Sequence, residues 1–165
     1  MSIIKSSEVQ ALREENKRKT LVFCSGCFDL THAGHVLFFE DCKKFGDVLA
    51  VMVATDYNIL NYKGKGRPIL NEYLRLKMID ALKPVDFCFL DLPTESNDLL
   101  APVDAAFKAL KPDVYVVNSD AFDIPKRREM TGRLNIEMKV LERTAPSEFD
   151  NVSTSGIIEK LKNYK

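Results

Sequence analysis

Short apolar runs recur along this chain, each too brief for an independent helix and each followed by a stretch of mixed polar and apolar residues. The runs are Leu21 to Cys24, Val48 to Val53, Phe87 to Leu90, Val114 to Val117 and Ile136 to Leu141. A run without polar alternation suits a strand buried on both faces. The stretches 34–45, 71–82, 98–110 and 126–133 read as crossover helices, and Ser153 to Lys162 as a terminal helix with a hydroxyl-rich cap. In 71–82, Leu74, Met78, Ile79 and Leu82 are expected to form the buried face. Residues 7–18, with Val9 and Leu12, predict a helix at one edge. Strands alternating with helices, joined by right-handed crossovers, imply an α/β fold: a doubly wound, five-stranded parallel sheet. The chain reads as one domain over 1–165, an N-terminal helix followed by an α/β core over 20–162. Ligands in such sheets sit beyond the carboxyl ends of the strands. The loops after strands one, two, four and five are therefore where chemistry is expected.

Composition narrows the partners. Lys plus Arg number 24 and Asp plus Glu number 24 in 165 residues, so the formal net charge is zero. A nucleic-acid or anionic-membrane binder would carry a basic excess. No apolar run approaches the roughly 18–20 residues of a membrane span. The start is too short and polar for a signal peptide, which predicts a cytoplasmic protein with Cys24, Cys27, Cys42 and Cys88 as free thiols. The neutral total hides an uneven distribution. Lys63, Lys65, Arg67, Arg75 and Lys77 face only Glu72 within 61–77, whereas 86–104 holds Asp86, Asp91, Glu95, Asp98 and Asp104 without a Lys or Arg.

The first strand runs into Gly26-Cys27-Phe28-Asp29-Leu30-Thr31-His32-Ala33-Gly34-His35, and the chain has no His besides these two. Two imidazoles and free N–H groups at a helix entrance make an anion site, particularly for phosphate. Gly34 removes a side chain where a ligand comes close. Ser153-Thr154-Ser155 opens the last helix with three hydroxyls. Residues 60–69, with Lys63-Gly64-Lys65-Gly66-Arg67-Pro68 and followed by Arg75, read as a basic, glycine-rich loop able to offset phosphate charge.

These blocks resemble a known superfamily. The first matches the G-x-F-D-x-x-H-x-G-H signature of the cytidylyltransferase-like nucleotidyltransferases, and Ser153 to Ile157 resembles their S-T-[ST]-x-I segment. The basic loop is more similar to the K-G-x-x-R-P pattern of heptose-1-phosphate adenylyltransferases than to that of glycerol-3-phosphate cytidylyltransferases. Arg143-Thr144 instead resembles the latter. After strand four, Asn118-Ser119-Asp120-Ala121 keeps the Asp of a K-G-G-D-Y segment but not its Lys or glycines. Markers for base and acceptor are therefore mixed.

The resemblance implies a Rossmann-like core and nucleotidyl transfer from a nucleoside triphosphate to a small phosphorylated acceptor, with Mg²⁺ accompanying the triphosphate, in a cytoplasmic homodimer. His32, His35, Lys63, Lys65 and Arg67 would be catalytic. Gly26, Cys27, Phe28, Gly34, Arg75, Asn118, Asp120, Arg143, Ser153, Thr154 and Ser155 would bind nucleotide. No metal ligand is assigned. Asp29 is expected to cap the helix entrance in preference to assisting a metal indirectly. Val36, Phe38 and Phe39 suit either core or interface. Rival readings are a zinc site from Cys24, Cys27, His32 and His35, whose spacing is far shorter than that of a zinc finger, a redox Cys24/Cys27 pair, and a nucleotide-binding module without catalysis.

Overall fold

The apolar runs form one five-stranded sheet in the order β3-β2-β1-β4-β5, with every neighbouring pair parallel. A computed structural model of the chain describes residues 3–142, 146–147, 149 and 153–164. The strands are β1 (Leu21–Gly26), β2 (Val48–Val53), β3 (Phe87–Leu90), β4 (Val114–Asn118) and β5 (Glu137–Leu141). The helices are α1 (Val9–Glu15), α2 (Ala33–Lys43), α3 (Asp56–Lys63), α4 (Glu72–Asp80), α5 (Ala101–Leu110), α6 (Ile124–Arg133) and α7 (Thr154–Lys162). Strand order reverses beside β1, which pairs with β2 on one side and β4 on the other. That reversal opens a crevice at the carboxyl ends of the two strands.

An aspartate before each of three strands ties the opposite end of the sheet. Asp47 accepts from Thr20 N at 2.8 Å, Asp86 from Leu49 N at 2.7 Å and Asp113 from Leu21 N at 2.7 Å. Each carboxylate satisfies an N–H at or next to the start of a neighbouring strand. Arg13 of α1 bonds Asp113 at 2.9 Å and so joins the N-terminal helix to the same seam.

Successive strand residues point to opposite faces, so the core is two layers. One layer packs Phe23, Phe89, Phe107 and Tyr115 with Val9 and Leu12 of α1. The other packs Val22, Cys24, Val51 and Ile79 with Phe38, Phe39 and Cys42 of α2. Phe38 and Phe39 therefore belong to the core.

Two sequence expectations need correction. Residues 56–63 form a helix, α3, where a loop was expected over 60–69. Its start is marked by Thr55, whose side chain accepts from Asn58 N at 3.4 Å, and its end by Gly64 at φ 81°. On α4, Leu74 and Met78 are exposed and Arg75, Leu76 and Ile79 are buried. Bonds that draw Arg75 inward turn the helix away from the face its apolar residues suggest.

Phe23 lies at the centre of the first layer, its ring 5.5 Å from Tyr115, 5.9 Å from Phe107 and 6.2 Å from Phe89. Phe23→Ala should destabilise the fold by about 3–5 kcal/mol. Urea unfolding followed by circular dichroism measures this, and a loss near zero would show that the layer recloses around the gap.

Candidate active site

A cavity of about 570 Å³ opens at the crevice between β1 and β4. The loop from β1 to α2 forms its floor, and this loop departs from ordinary backbone. Phe28 and Leu30 both take left-handed φ, at 49° and 47°. Such conformations cost non-glycine residues energy and persist only where surroundings enforce them. Phe28 is held by burial, with its ring 4.9 Å from Phe39 and 5.6 Å edge-on from His35. A Cβ at Gly26 would stand 2.9 Å from the Phe28 ring, so a side chain there would displace it.

Asp29, between the two strained residues, is 1% exposed. Its carboxylate accepts from Arg67 Nε at 3.1 Å, Ile69 N at 2.9 Å and Leu70 N at 3.0 Å. Burial alone would raise its pKa. The two backbone N–H groups and the Arg67 guanidinium outweigh that and hold it below the ordinary value. The Asp29 carbonyl accepts from Thr154 Oγ1 at 2.8 Å, which brings the N-terminus of α7 to the same loop. Asp29 thus caps no helix, contrary to expectation; the N-cap of α2 is His32.

His32 and His35 stack at the start of α2, with ring centroids 3.9 Å apart and planes inclined by 29°. The backbone N–H of His32 donates to His35 Nδ1 at 3.3 Å. A neutral His35 must then carry its proton on Nε2, which makes that nitrogen a donor. Both rings line the cavity, as do Ser153, Thr154 and Ser155 of the α7 entrance. Two imidazoles thus share one cavity with a helix N-terminus, an arrangement suited to a row of phosphates.

The family model described as Cytidylyltransferase-like matches residues 23–160. The chain belongs to this family. Among curated relatives, the Bifunctional protein HldE of Campylobacter jejuni is 32% identical over 98% of this chain but only 32% of its own length. The chain thus spans about a third of that relative. The FAD synthase of Ferroglobus placidus is 36% identical over 85% of this chain and 86% of its own. Among solved structures, a lipopolysaccharide core biosynthesis protein from Thermoplasma volcanium superposes with a TM-score of 0.62 at 30% identity, over 78% of this chain and 99% of that one. Pantothenate synthetase from Thermus thermophilus superposes with a TM-score of 0.69 at 14% identity, over 99% of this chain and 70% of that one, and shares the fold.

In this cytidylyltransferase-like protein the cavity gathers Gly26, Cys27, Phe28, His32, His35, Lys63, Asn118, Asp120, Ser153, Thr154 and Ser155. Other expected site residues stand apart from the lining. Gly34 is the second residue of α2 and Lys65 is exposed. Arg67 is bound to Asp29 instead of reaching into the cavity, and its Nη2 is buried without a partner among the described residues. Arg75 is fully buried beneath the site. It donates to Leu70 O at 2.9 Å, Cys27 O at 2.7 Å and Asp56 Oδ1 at 2.8 Å. With those bonds made, Arg75 holds the β1–α2 loop against α3 and α4 instead of binding nucleotide. Arg143 lies outside the described residues. Cys24 is buried against Cys42, and no group of three metal-ligating side chains occurs among the described residues.

The structure adds residues that sequence reasoning missed. Asn58 and Tyr62 line the cavity from α3, the helix read as a loop, and Asp91 lines it from the end of β3, the one strand end not considered. Asp91 was visible as a lone carboxylate closing an apolar strand. Tyr62 packs against Phe122 with centroids 5.2 Å apart, so these lining rings bridge α3 and the β4–α6 loop. Arg127 lines the cavity too, bonded to the buried Tyr115 hydroxyl and to Phe122 O.

The lowered pKa of Asp29 fixes the sign of a pH effect. Its ionised form stabilises the fold above the ordinary value of 3.8, and that contribution is lost as pH falls through the lower folded value. Urea unfolding from about pH 6 to about pH 3 should therefore show a steeper loss of stability in the wild type than in Asp29→Asn. Equal slopes would show that the carboxylate does not carry the anchor.

Proposed function

We propose that this enzyme transfers a nucleoside monophosphate from a nucleoside triphosphate to a sugar or polyol phosphate, releasing pyrophosphate. ATP with a sugar phosphate of the heptose 1-phosphate kind is the favoured pair, on the strength of the Lys63 to Pro68 motif. The observation that carries the reading is the stacked His32–His35 pair facing the α7 entrance across one cavity. An oxygen of the acceptor phosphate attacks the α-phosphorus, a new P–O bond forms, and the bond from the α-phosphorus to the bridging oxygen breaks. The acceptor is already an anion, so no general base is required. The protein's task is alignment and charge stabilisation.

His35 Nε2 donates toward the α-phosphate and the bridging oxygen, with His32 beside it. The α7 N–H groups and hydroxyls receive the β,γ end that departs, and Lys63 offsets charge on the acceptor. Mg²⁺ bound to the triphosphate would offset charge on its phosphate oxygens. The Asn118 and Asp120 edge is left for the nucleoside.

The match to a FAD synthase over most of both chains supports a second reading, with FMN as the phosphate monoester. CTP with glycerol 3-phosphate is the third arm of the test. Pyrophosphate release is measured with ATP, CTP, GTP and UTP against heptose 1-phosphate, glycerol 3-phosphate and FMN. Turnover with ATP and the sugar phosphate is expected, and pyrophosphate release from none of the pairs would overturn the transfer reading. His35→Ala should lower kcat by about 10²-fold or more and change KM far less, because the donor acts mainly on charge developing in the transition state. An unchanged kcat would remove His35 from the mechanism.

A further inference from the structure

We propose that Asp91 and Asn58 form a hydroxyl-reading subsite, so that the acceptor is a phosphate monoester bearing a vicinal diol. Assigning this end of the cavity to the acceptor rests on the transfer reading above. The His pair follows β1, the middle strand, and lines the cavity. Asn118 and Asp120 lie toward the β4 side, and Asp91 with the lining residues of α3 lies toward the β3 side.

The β3 side has a defined polar geometry. Asp91 Oδ2 accepts from Asn58 Nδ2 at 2.6 Å, Thr55 N at 2.9 Å and Thr55 Oγ1 at 3.4 Å. Those donors fix the carboxylate and the amide side by side. The remaining oxygens, Asp91 Oδ1 and Asn58 Oδ1, make no hydrogen bond among the described residues, and both side chains line the cavity. Two adjacent, immobilised acceptors suit two adjacent O–H donors. A phosphate would be repelled there, so the charged end of the acceptor must lie toward Lys63.

The spacing agrees. Asn58, Ile59, Tyr62 and Lys63 all reach the cavity from α3. The five residue steps from Asn58 to Lys63 span about 7.5 Å along the helix axis. That is comparable to the distance from a phosphate to the far hydroxyls of a short polyol. Leu99, Leu100 and Val103 add apolar surface to the same cavity.

Anchoring the start of α3 accounts for only one oxygen of Asp91. Burial raises the pKa of this carboxyl despite the bonds from Asn58 and Thr55, so its ionised form costs stability that is regained as pH falls. A cap at the surface would anchor the helix without that cost. A half-buried acceptor that opens on the cavity is explained by a ligand that supplies donors.

Calorimetry tests the proposal on full-length protein saturated with a non-hydrolysable analogue of the nucleotide that binds. The probes are mannose 1-phosphate, ribitol 5-phosphate and glycerol 3-phosphate, against n-propyl phosphate and phosphoethanolamine. At least one hydroxylated ester should bind about tenfold or more tightly than n-propyl phosphate. In Asp91→Ala and separately in Asn58→Ala, that ratio should fall to within about threefold, while n-propyl phosphate binding changes little. A purely structural role would weaken every ester alike and leave the ratio intact. The proposal is overturned by a ratio that survives in both variants, by no discrimination in the wild type, by preference for phosphoethanolamine, or by no ester binding. Pyrophosphate release is read separately. Diol discrimination without turnover would sink the transfer reading alone, and turnover with discrimination indifferent to both variants would sink this subsite alone.

Discussion

One buried carboxylate holds the site together. Asp29 takes three N–H donors from the segment 67–70, and its own carbonyl takes the Thr154 hydroxyl. Leaving such a charge unpaired in the interior would be strongly unfavourable, so the chain segments that satisfy it are drawn to it. They bring the basic loop against one side of the β1–α2 turn and the α7 entrance against the other. The strained backbone at Phe28 and Leu30 is stable in that setting because Asp29 between them is fixed and the Phe28 ring is buried. Arg75 completes the frame from below by bonding Cys27 O and Asp56.

The parallel sheet explains why the cavity lies where it does. Strand order reverses at β1, and the segments following β1 and β4 separate to leave a space that no side chain fills. Helix entrances at α2 and α7 meet there, so N–H groups face the space without any large positive charge. Oriented dipoles and a few cations can attract phosphates in a protein that is neutral in total. The acidic stretch over 86–104 supplies Asp91 to the same cavity, at the end away from Asn118 and Asp120.

Much of the fold is legible in local pattern. Each apolar run appears as a strand within two residues of its expected limits, since a both-faces-buried strand leaves an unbroken hydrophobic signature. The His pair and the hydroxyls of 153–155 were also legible, because short motifs place chemistry and helix entrance together. α3 was not. Tyr57, Leu60 and Tyr62 are exposed apolar residues and Ile59 is its only buried one, so no amphipathic stripe announces it. Asp29 misled for a related reason: a carboxylate before a helix looks like a cap, and its partners lie 38 to 41 residues away.

By itself, then, the sequence determined the alternation of strands and helices, the parallel sheet and the presence of a His motif at a helix entrance. All of these rest on contacts between near neighbours or on periodic burial. Only the tertiary structure decided which cations face the cavity. It assigned Lys63 to the lining, bound Arg67 to Asp29 and buried Arg75 as a brace. It alone paired Asp91 with Asn58, which are 33 residues apart. The physical reason is that a charged side chain has many competing uses, and which one prevails depends on the donors, acceptors and water that folding places around it.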